Sequence, residues 1–131
     1  MNVLDLFSGI GGFSLGLERA GFRTVQFVEL DPYCRAVLRK HWPNVPQHDD
    51  IRTFRPSRSY DLVCGGFPCQ DISAAGRGAG LSGSRSSLWW EMHRVIAEAL
   101  PPWVVIENVP MLRRRGLDEV LRALMALGYV G

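Results

Sequence analysis

The chain begins with Met1-Asn2-Val3-Leu4-Asp5-Leu6-Phe7-Ser8-Gly9-Ile10-Gly11-Gly12, in which an apolar run is followed by a glycine-rich turn. Such a run is typical of a strand that is buried within a parallel sheet. Glycines after the strand let the backbone approach a ligand closely and leave N–H groups free at the start of the next helix. This stretch therefore predicts the first strand, turn and helix of an α/β fold.

Strand-like and helix-like segments alternate along the rest of the sequence. The predicted strands are 2–7, 23–30, 45–50, 60–64 and 103–109, and the predicted helices are 13–20, 32–42, 86–100 and 117–127. Asp31-Pro32 marks a helix start, because aspartate caps an N-terminus and proline suits the first helical position. Tyr129 and Val130 predict the start of a sixth strand. The alternation predicts one α/β domain with a mostly parallel sheet and helices on both faces.

The composition is that of a globular protein. Hydrophobic residues make up 47% of the 131 residues, which excludes a disordered chain, and the net charge of +2 does not by itself indicate nucleic-acid binding. The apolar runs are too short to span a membrane and no secretory signal is visible, so we expect a cytoplasmic protein. Without zinc-like spacing of its cysteines and histidines, we expect no metal site.

Acidic residues follow the second and third predicted strands. Glu29 lies where a carboxylate contacts ribose hydroxyls in dinucleotide-binding folds. Asp50 can bind an exocyclic amine, although a capping or solvated aspartate explains it equally well. With the glycine turn, these residues predict an adenosine ligand. A nicotinamide cofactor and S-adenosyl-L-methionine both fit at this level.

The stretch Gly65-Gly66-Phe67-Pro68-Cys69-Gln70 distinguishes between these ligands. Cys69 follows a strand, two glycines and a proline, which places its thiol near the carboxyl ends of the strands. Free N–H groups in such a loop favour the thiolate, the nucleophilic form of cysteine. Cys34 and Cys64, in a helix and a strand, fit the role of small buried side chains.

Glu107 directly follows the apolar run of the fifth predicted strand. We expect it to be partly desolvated, so that it can hold a proton near neutral pH, although an ordinary polar strand end is the alternative. Because neighbouring parallel strands end at the same edge of a sheet, we expect Cys69 and Glu107 to face one pocket.

Taken together, these segments resemble the cytosine-5 DNA methyltransferase family. The matching segments, in the order of the family, are Asp5 to Gly12, Glu29-Leu30, Asp50-Ile51, Gly66-Phe67-Pro68-Cys69-Gln70, residues 83–88 and Glu107-Asn108-Val109. They cover nearly the whole chain, and Pro-Cys-Gln together with Glu-Asn-Val is highly specific. The resemblance implies a Rossmann-like, S-adenosylmethionine-dependent methyltransferase fold over residues 1–131, in a prokaryotic or phage restriction-modification context.

The resemblance also implies roles for individual residues. Cys69 would attack carbon 6 of a cytosine flipped out of double-stranded DNA, and protonated Glu107 would contact the N3/N4 edge of that ring. Carbon 5 then takes the methyl group of S-adenosylmethionine, which leaves S-adenosyl-L-homocysteine. Cofactor positions are matched by Phe7, Ser8, Gly9, Gly11, Gly12, Glu29, Leu30, Asp50, Ile51, Pro68 and Leu88. The loop over DNA is matched by Gln70, Ser73, Arg85 and Asn108.

Later blocks of the family are absent from these 131 residues. They include a Gln-x-Arg-x-Arg segment, the region that reads the target sequence and a final helix beside the cofactor. We therefore expect a sheet that is truncated after about five strands, with strand 103–109 as an exposed edge. We expect a fragment or split subunit that binds S-adenosylmethionine and DNA weakly and is inactive alone. It would form a homodimer or join a complementing C-terminal chain.

Three other functions stay open at this point. One branch of the family methylates tRNA, and the missing recognition region leaves that substrate possible. A non-catalytic cofactor-binding remnant or interaction module would keep the fold without the chemistry. A nicotinamide dehydrogenase would explain the glycine turn but gives Cys69 and Glu107 no joint role.

Overall fold

The computed structural model describes residues 1–68, 87–107 and 116–131. Its strands are β1 (Asn2–Leu6), β2 (Arg23–Val28), β3 (Gln47–His48), β4 (Leu62–Gly65) and β5 (Trp103–Ile106). Its helices are α1 (Gly12–Arg19), α2 (Pro32–His41), α3 (Ser87–Ala99) and α4 (Leu117–Ala126), and a 3-10 turn covers Ile51–Thr53. Among the helices in these ranges, none has the length and apolar character needed to cross a membrane.

The five strands form one sheet in the order β3-β2-β1-β4-β5, and every neighbouring pair is parallel. From β1 the chain moves outward to β3 and then returns to the other side of β1 at β4. The carboxyl ends of β1 and β4 therefore flank the point where the strand order reverses, which is where open α/β sheets bind ligands. The predicted α/β class and parallel pairing are confirmed.

Helices cover both faces of the sheet because alternate residues of a strand point to opposite sides. Leu4 and Leu6 of β1 pack in the main core, together with α3 residues that include the fully buried Trp89. Val3 lies in a second, smaller core on the other face, beside Phe13 and Leu17 of α1. Central strand β1 is thus buried from both sides, which explains its nearly unbroken apolar sequence.

Of the predicted elements, β3 and the sixth strand differ most from the structure, and β1, β2 and β4 differ at their ends by one or two residues. β3 covers two residues rather than 45–50. Tyr129 and Val130, both described, add no strand to the sheet. Gly128, at φ 99°, ends α4 in a Schellman motif in which the Tyr129 amide donates to the Leu124 carbonyl at 3.1 Å. The Tyr129 hydroxyl then donates to the Pro101 carbonyl at 2.6 Å, which holds the segment against the sheet edge.

Strand β5 forms one edge of the sheet, as predicted. Trp103 is 64% exposed and Val105 is 38% exposed. The alternate residues, Val104 and Ile106, pack against the main core. Within the part of the chain that the structure describes, β5 therefore presents both a hydrogen-bonding edge without a partner strand and an apolar face to its surroundings.

Gly11 allows α1 and α2 to pack closely. A Cβ atom at Gly11 would lie 2.5 Å from the ring of Trp42 and 3.1 Å from Leu38, and φ at this glycine is 96°. The Trp42 indole N–H donates to Glu18 of α1 at 2.6 Å, which fixes the ring over the turn. Neither the space nor the backbone angle suits any other residue here.

We expect Gly11→Ala to lower the free energy of unfolding by roughly 2–4 kcal/mol, since it adds left-handed backbone strain to an overpacked contact. Urea denaturation measures the change. Gly12→Ala is the matched control: the space around its Cβ is open within 4 Å. It should leave stability unchanged or slightly raised. Equal midpoints for the two variants would contradict this account of the turn.

Candidate active site

The turn after β1 has a strained backbone. Phe7 has a φ of 52°, Gly9 of 57° and Gly11 of 96°. For Phe7 this left-handed conformation costs on the order of 1 kcal/mol, and such residues cluster at ligand sites. The Ser8 hydroxyl, which is nearly buried, donates to the Asp5 carbonyl at 2.6 Å and holds the turn in place.

Glu29 ties this glycine turn to the end of β2. Its Oε1 accepts a hydrogen bond from the Gly9 amide at 2.7 Å, and its Oε2 accepts one from the Asp31 amide at 2.8 Å. Each carboxylate oxygen has a second lone pair, so both can also accept from the hydroxyls of a ligand. Leu30, directly beside it, is 63% exposed and offers an apolar surface at the same edge.

Asp50 caps the 3-10 turn that follows β3. Its Oδ1 accepts from the Arg52 amide and from the Arg52 guanidinium, each at 3.0 Å. Hydrogen bonding to Arg52 holds the pKa of the Asp50 carboxyl below its usual value. Asp50 therefore caps this turn through Oδ1, and its binding of an exocyclic amine stays a prediction. Ile51, the next residue, is buried in the main core at 5% exposure.

A buried polar chain lies beneath the glycine turn, and sequence reasoning missed it. Asp5, fully buried in β1, accepts a hydrogen bond from the Ser14 hydroxyl at 2.6 Å, and Ser14 accepts one from Thr24 at 2.7 Å. Burial raises the pKa of Asp5 to about 7, although the Ser14 hydrogen bond lowers it in part. The chain connects β1, α1 and β2. Its one signal in the sequence is an acidic residue within an apolar strand.

The two described cysteines are poorly suited to nucleophilic attack. Cys64 is fully buried opposite Asp5 in the sheet, and burial together with that neighbour raises the pKa of its thiol. Burial, followed by Glu29 and Asp31, raises the pKa of the half-buried Cys34. Both thiols therefore resist ionisation. Cys64 fits the predicted role of a small buried side chain.

Glu107 lies beside the end of β4. Its amide donates to the Gly65 carbonyl at 3.1 Å. A Cβ atom at Gly66 would lie 2.5 Å from the Glu107 carboxylate oxygen Oε2 and 3.2 Å from the Glu107 carbonyl oxygen, so the Glu107 side chain occupies space that a larger residue at position 66 would fill. The carboxylate thus lies directly beside the segment that leads through Pro68 to residue 69.

The expected partial desolvation of Glu107 is wrong, since the residue is exposed. The reason is its place on β5, the edge strand, where the neighbouring Val105 is also exposed. An apolar run before a carboxylate implies burial only when other elements cover that end of the strand.

The structure therefore gathers part of the predicted site along one edge of the sheet. Phe7, Gly9 and Glu29 meet at the ends of β1 and β2, and Gly66 meets Glu107 at the ends of β4 and β5. Pro68 is exposed and Leu88 is half-buried against the main core. The remaining residues of the prediction lie outside the described part of the chain: Cys69, Gln70, Ser73, Arg85 and Asn108.

The sequence profile of the C-5 cytosine-specific DNA methylases matches residues 1–131. The chain belongs to this family. It is 44% identical to the type II methyltransferase M2.BsuMI of Bacillus subtilis, over 98% of this chain and 35% of that protein. It is 37% identical to the type II methyltransferase M.AquIA of Picosynechococcus, over 94% of this chain and 54% of that protein.

Solved structures of related proteins have the same fold. An E. coli prophage protein assigned as a DNA modification methyltransferase matches with a TM-score of 0.79 and 28% identity, over 97% of this chain and 37% of that one. The Dnmt2 methyltransferase of S. pombe matches with a TM-score of 0.72 and 22% identity, over 96% of this chain and 41% of that one. The chain spans about a third of the length of several curated relatives.

Asp5 gives the fold a pH dependence near neutrality. Its pKa is about 7 in the folded protein against an ordinary 3.8, so the neutral form stabilises the fold below pH 4 and this contribution is lost as the pH rises through 7. We expect a loss of roughly 2–4 kcal/mol from this residue between pH 4 and 8. Asp5→Asn should remove that part of the slope.

Urea denaturation at pH 5 and pH 8 measures this effect. The stability of Asp5→Asn relative to the unmodified protein should rise between the two pH values. Asp118→Asn, at an exposed position on α4, is the control and should keep the original slope. Parallel profiles for the protein and Asp5→Asn would show that Asp5 does not titrate in this range.

Proposed function

We propose that this chain carries the cofactor-binding and catalytic residues of a DNA cytosine-5 methyltransferase. The contact between Gly66 and Glu107 is the observation that supports it most strongly. It places an acidic side chain beside the strand end that leads to Cys69, the residue with the nucleophile's position in the family motif. Fold and glycine turn alone would fit many adenosine-binding enzymes, whereas this pairing has a specific task in cytosine methylation.

The residues at the ends of β1, β2 and β3 fit S-adenosylmethionine. The left-handed backbone at Phe7 and Gly9 turns the chain at this edge of the sheet, Glu29 offers two acceptor oxygens and Leu30 offers an apolar surface. We propose that Glu29 binds the ribose hydroxyls, Leu30 packs on the adenine, and Gly9, Gly11 and Gly12 pass the amino-acid end. When bound, S-adenosylmethionine supplies the methyl group, and S-adenosylhomocysteine is the product.

Cys69 and Glu107 have complementary roles in the proposed reaction. The Cys69 thiolate would add to carbon 6 of the cytosine, and the electron pair of the C5–C6 double bond would move toward N3, which takes up a proton at the ring edge that Glu107 is proposed to contact. Carbon 5 would thereby become nucleophilic toward the methyl group that bound S-adenosylmethionine would supply. A base would then remove the proton from carbon 5, the thiolate would leave as the C5–C6 double bond re-forms, and N3 would give up the proton that it had taken.

Trapping on duplex DNA that carries 5-fluorocytosine tests the proposed nucleophile. Fluorine at carbon 5 cannot leave as a proton does, so the adduct between enzyme and base persists. We expect a covalent adduct in the presence of S-adenosylmethionine when a C-terminal part of a type II relative is supplied. Denaturing gel electrophoresis and mass spectrometry detect it. Cys69→Ala should abolish it.

Cys34→Ala is the matched control, since it removes a half-buried thiol on α2 that does not have the nucleophile's position in the family motif. This variant should form the adduct as the unmodified chain does. An adduct in Cys69→Ala would contradict the assignment of the nucleophile. Failure of every combination to form an adduct would favour a non-catalytic remnant, and an adduct on tRNA but not on DNA would favour the tRNA alternative.

Similarity to the curated relatives favours DNA over tRNA as the substrate. The curated proteins named above are type II methyltransferases, a class that belongs to restriction-modification systems. We therefore propose a restriction-modification role and action in the cytoplasm, where bacterial DNA lies.

A second chain is proposed to cover the edge of the sheet at β5. Trp103 and Val105 leave an apolar edge exposed, and a groove of about 470 Å³ runs beside it between β5 and α4. Either a complementing C-terminal chain or a second copy can satisfy the free backbone groups of this strand.

Sedimentation of the chain at increasing concentration tests this edge. We expect self-association, and we expect Val105→Lys to weaken it about tenfold, because a lysine on an edge strand opposes pairing. Leu15→Lys is the control, since Leu15 is 48% exposed on α1. A chain that stays monomeric at every concentration and binds no complementing chain would contradict the proposal.

A further inference from the structure

Arg94 of α3 connects that helix to the turn after Asp50. Its Nη2 donates to the Ile51 carbonyl at 2.8 Å, across a separation of 43 residues in the chain. The same carbonyl accepts the Phe54 amide at 3.1 Å, which closes the 3-10 turn. The guanidinium is therefore part of the structure of this turn and not a surface charge.

The guanidinium is fixed on its own helix by two carboxylates. Its Nε donates to Glu91 at 2.9 Å, and its Nη1 donates to both oxygens of Glu98 at 3.2 Å. The side chain is only 24% exposed. Because the carboxylates hold Nε and Nη1, the planar group is fixed in the orientation in which Nη2 donates to the Ile51 carbonyl.

Helix α3, which carries Arg94, packs against the main core. Trp89, Met92, Val95 and Ile96 of α3 are fully buried in the main core. Leu88, at the start of α3, packs against the same core and is one of the proposed cofactor residues. Arg94 thus joins two segments that contain matched cofactor positions of the family, the Asp50-Ile51 turn and Leu88 at the start of α3.

We propose that Arg94 is a positioning residue, which sets the place of the Asp50 carboxylate by anchoring the Ile51 carbonyl and so contributes to recognition of the exocyclic amine of adenine. This inference rests on the proposed function. In this proposal Arg94 does not contact the ligand and acts only through the turn. For stability alone, an apolar contact between α3 and the 3-10 turn would serve equally well. A role in positioning Asp50 gives a reason for the charged side chain.

Ligand preference distinguishes positioning from general support of the fold. The probes are S-adenosylhomocysteine and its inosine counterpart, S-inosylhomocysteine, in which a carbonyl oxygen replaces the exocyclic amine. A carboxylate hydrogen bond to the amine should make the adenosine form bind about tenfold more tightly to the unmodified chain. Isothermal titration calorimetry measures both dissociation constants.

Arg94→Met keeps an unbranched stem but removes every donor. We expect it to reduce the preference for the adenosine form to less than about threefold, since the turn no longer holds Asp50 in place. Glu98→Gln is the matched control: it loses one ion pair but keeps the donor to Ile51, and its preference should be unchanged. Equal weakening of both ligands in Arg94→Met, or no preference in the unmodified chain, would overturn the inference.

Hydrogen exchange without ligand separates this inference from the proposed function. The Phe54 amide, which donates to the Ile51 carbonyl, should exchange several-fold faster in Arg94→Met than in Glu98→Gln. Unchanged protection would overturn the anchoring role even if the ligand binds. Normal anchoring with no binding of S-adenosylhomocysteine to the unmodified chain would instead count against the proposed function.

Discussion

The pairing of β1 on both of its sides is the constraint on which the rest of the structure depends. Its ladder with β2 runs from Asn2 to Leu6, and its ladder with β4 runs from Val3 to Leu6. Both are parallel, so three strand ends arrive at the same edge in fixed register. Asp5 lies at the centre of this arrangement, and its hydrogen bond with Ser14 also fixes the start of α1 to the sheet.

Convergence of strand ends explains how distant residues become neighbours. Gly9 meets Glu29 because β1 and β2 end together, and Gly66 meets Glu107 because β4 and β5 end together. Gly66 leaves space for the Glu107 side chain, whereas Gly9 suits a left-handed backbone angle, so glycine serves a different physical purpose at each position. The proposed cofactor and base positions then lie on either side of the reversal in strand order.

The sequence predicts those features that depend on local chemistry. Asp31 caps α2 through the Tyr33 amide at 2.9 Å, as the Asp31-Pro32 pair predicts, and Gly21 follows α1 with φ at 95°. β3 was overestimated because Pro46 lacks an amide hydrogen and Asp50 starts a new turn by capping it. The expected sixth strand does not form at Tyr129 and Val130, because the Schellman motif at Gly128 changes the direction of the chain there.

Features that depend on distant contacts could not be predicted. Periodicity carries no sign that Arg94 reaches the Ile51 carbonyl, or that Asp5 is buried with Ser14 and Thr24. The exposure of Glu107 likewise depends on what covers the edge strand and not on the apolar residues before it. In each case the deciding partner lies on another element.

Amide NMR of the chain during titration with S-adenosylhomocysteine tests most directly whether the edge formed by these strand ends is a cofactor site. The amides of Gly9 and Asp31 donate to Glu29, and the Arg52 amide donates to Asp50, so each reports on a carboxylate proposed to bind ligand. The account predicts that these three amides shift together at one dissociation constant. Shifts confined to β5 and α4, or no saturable shift at all, would contradict it.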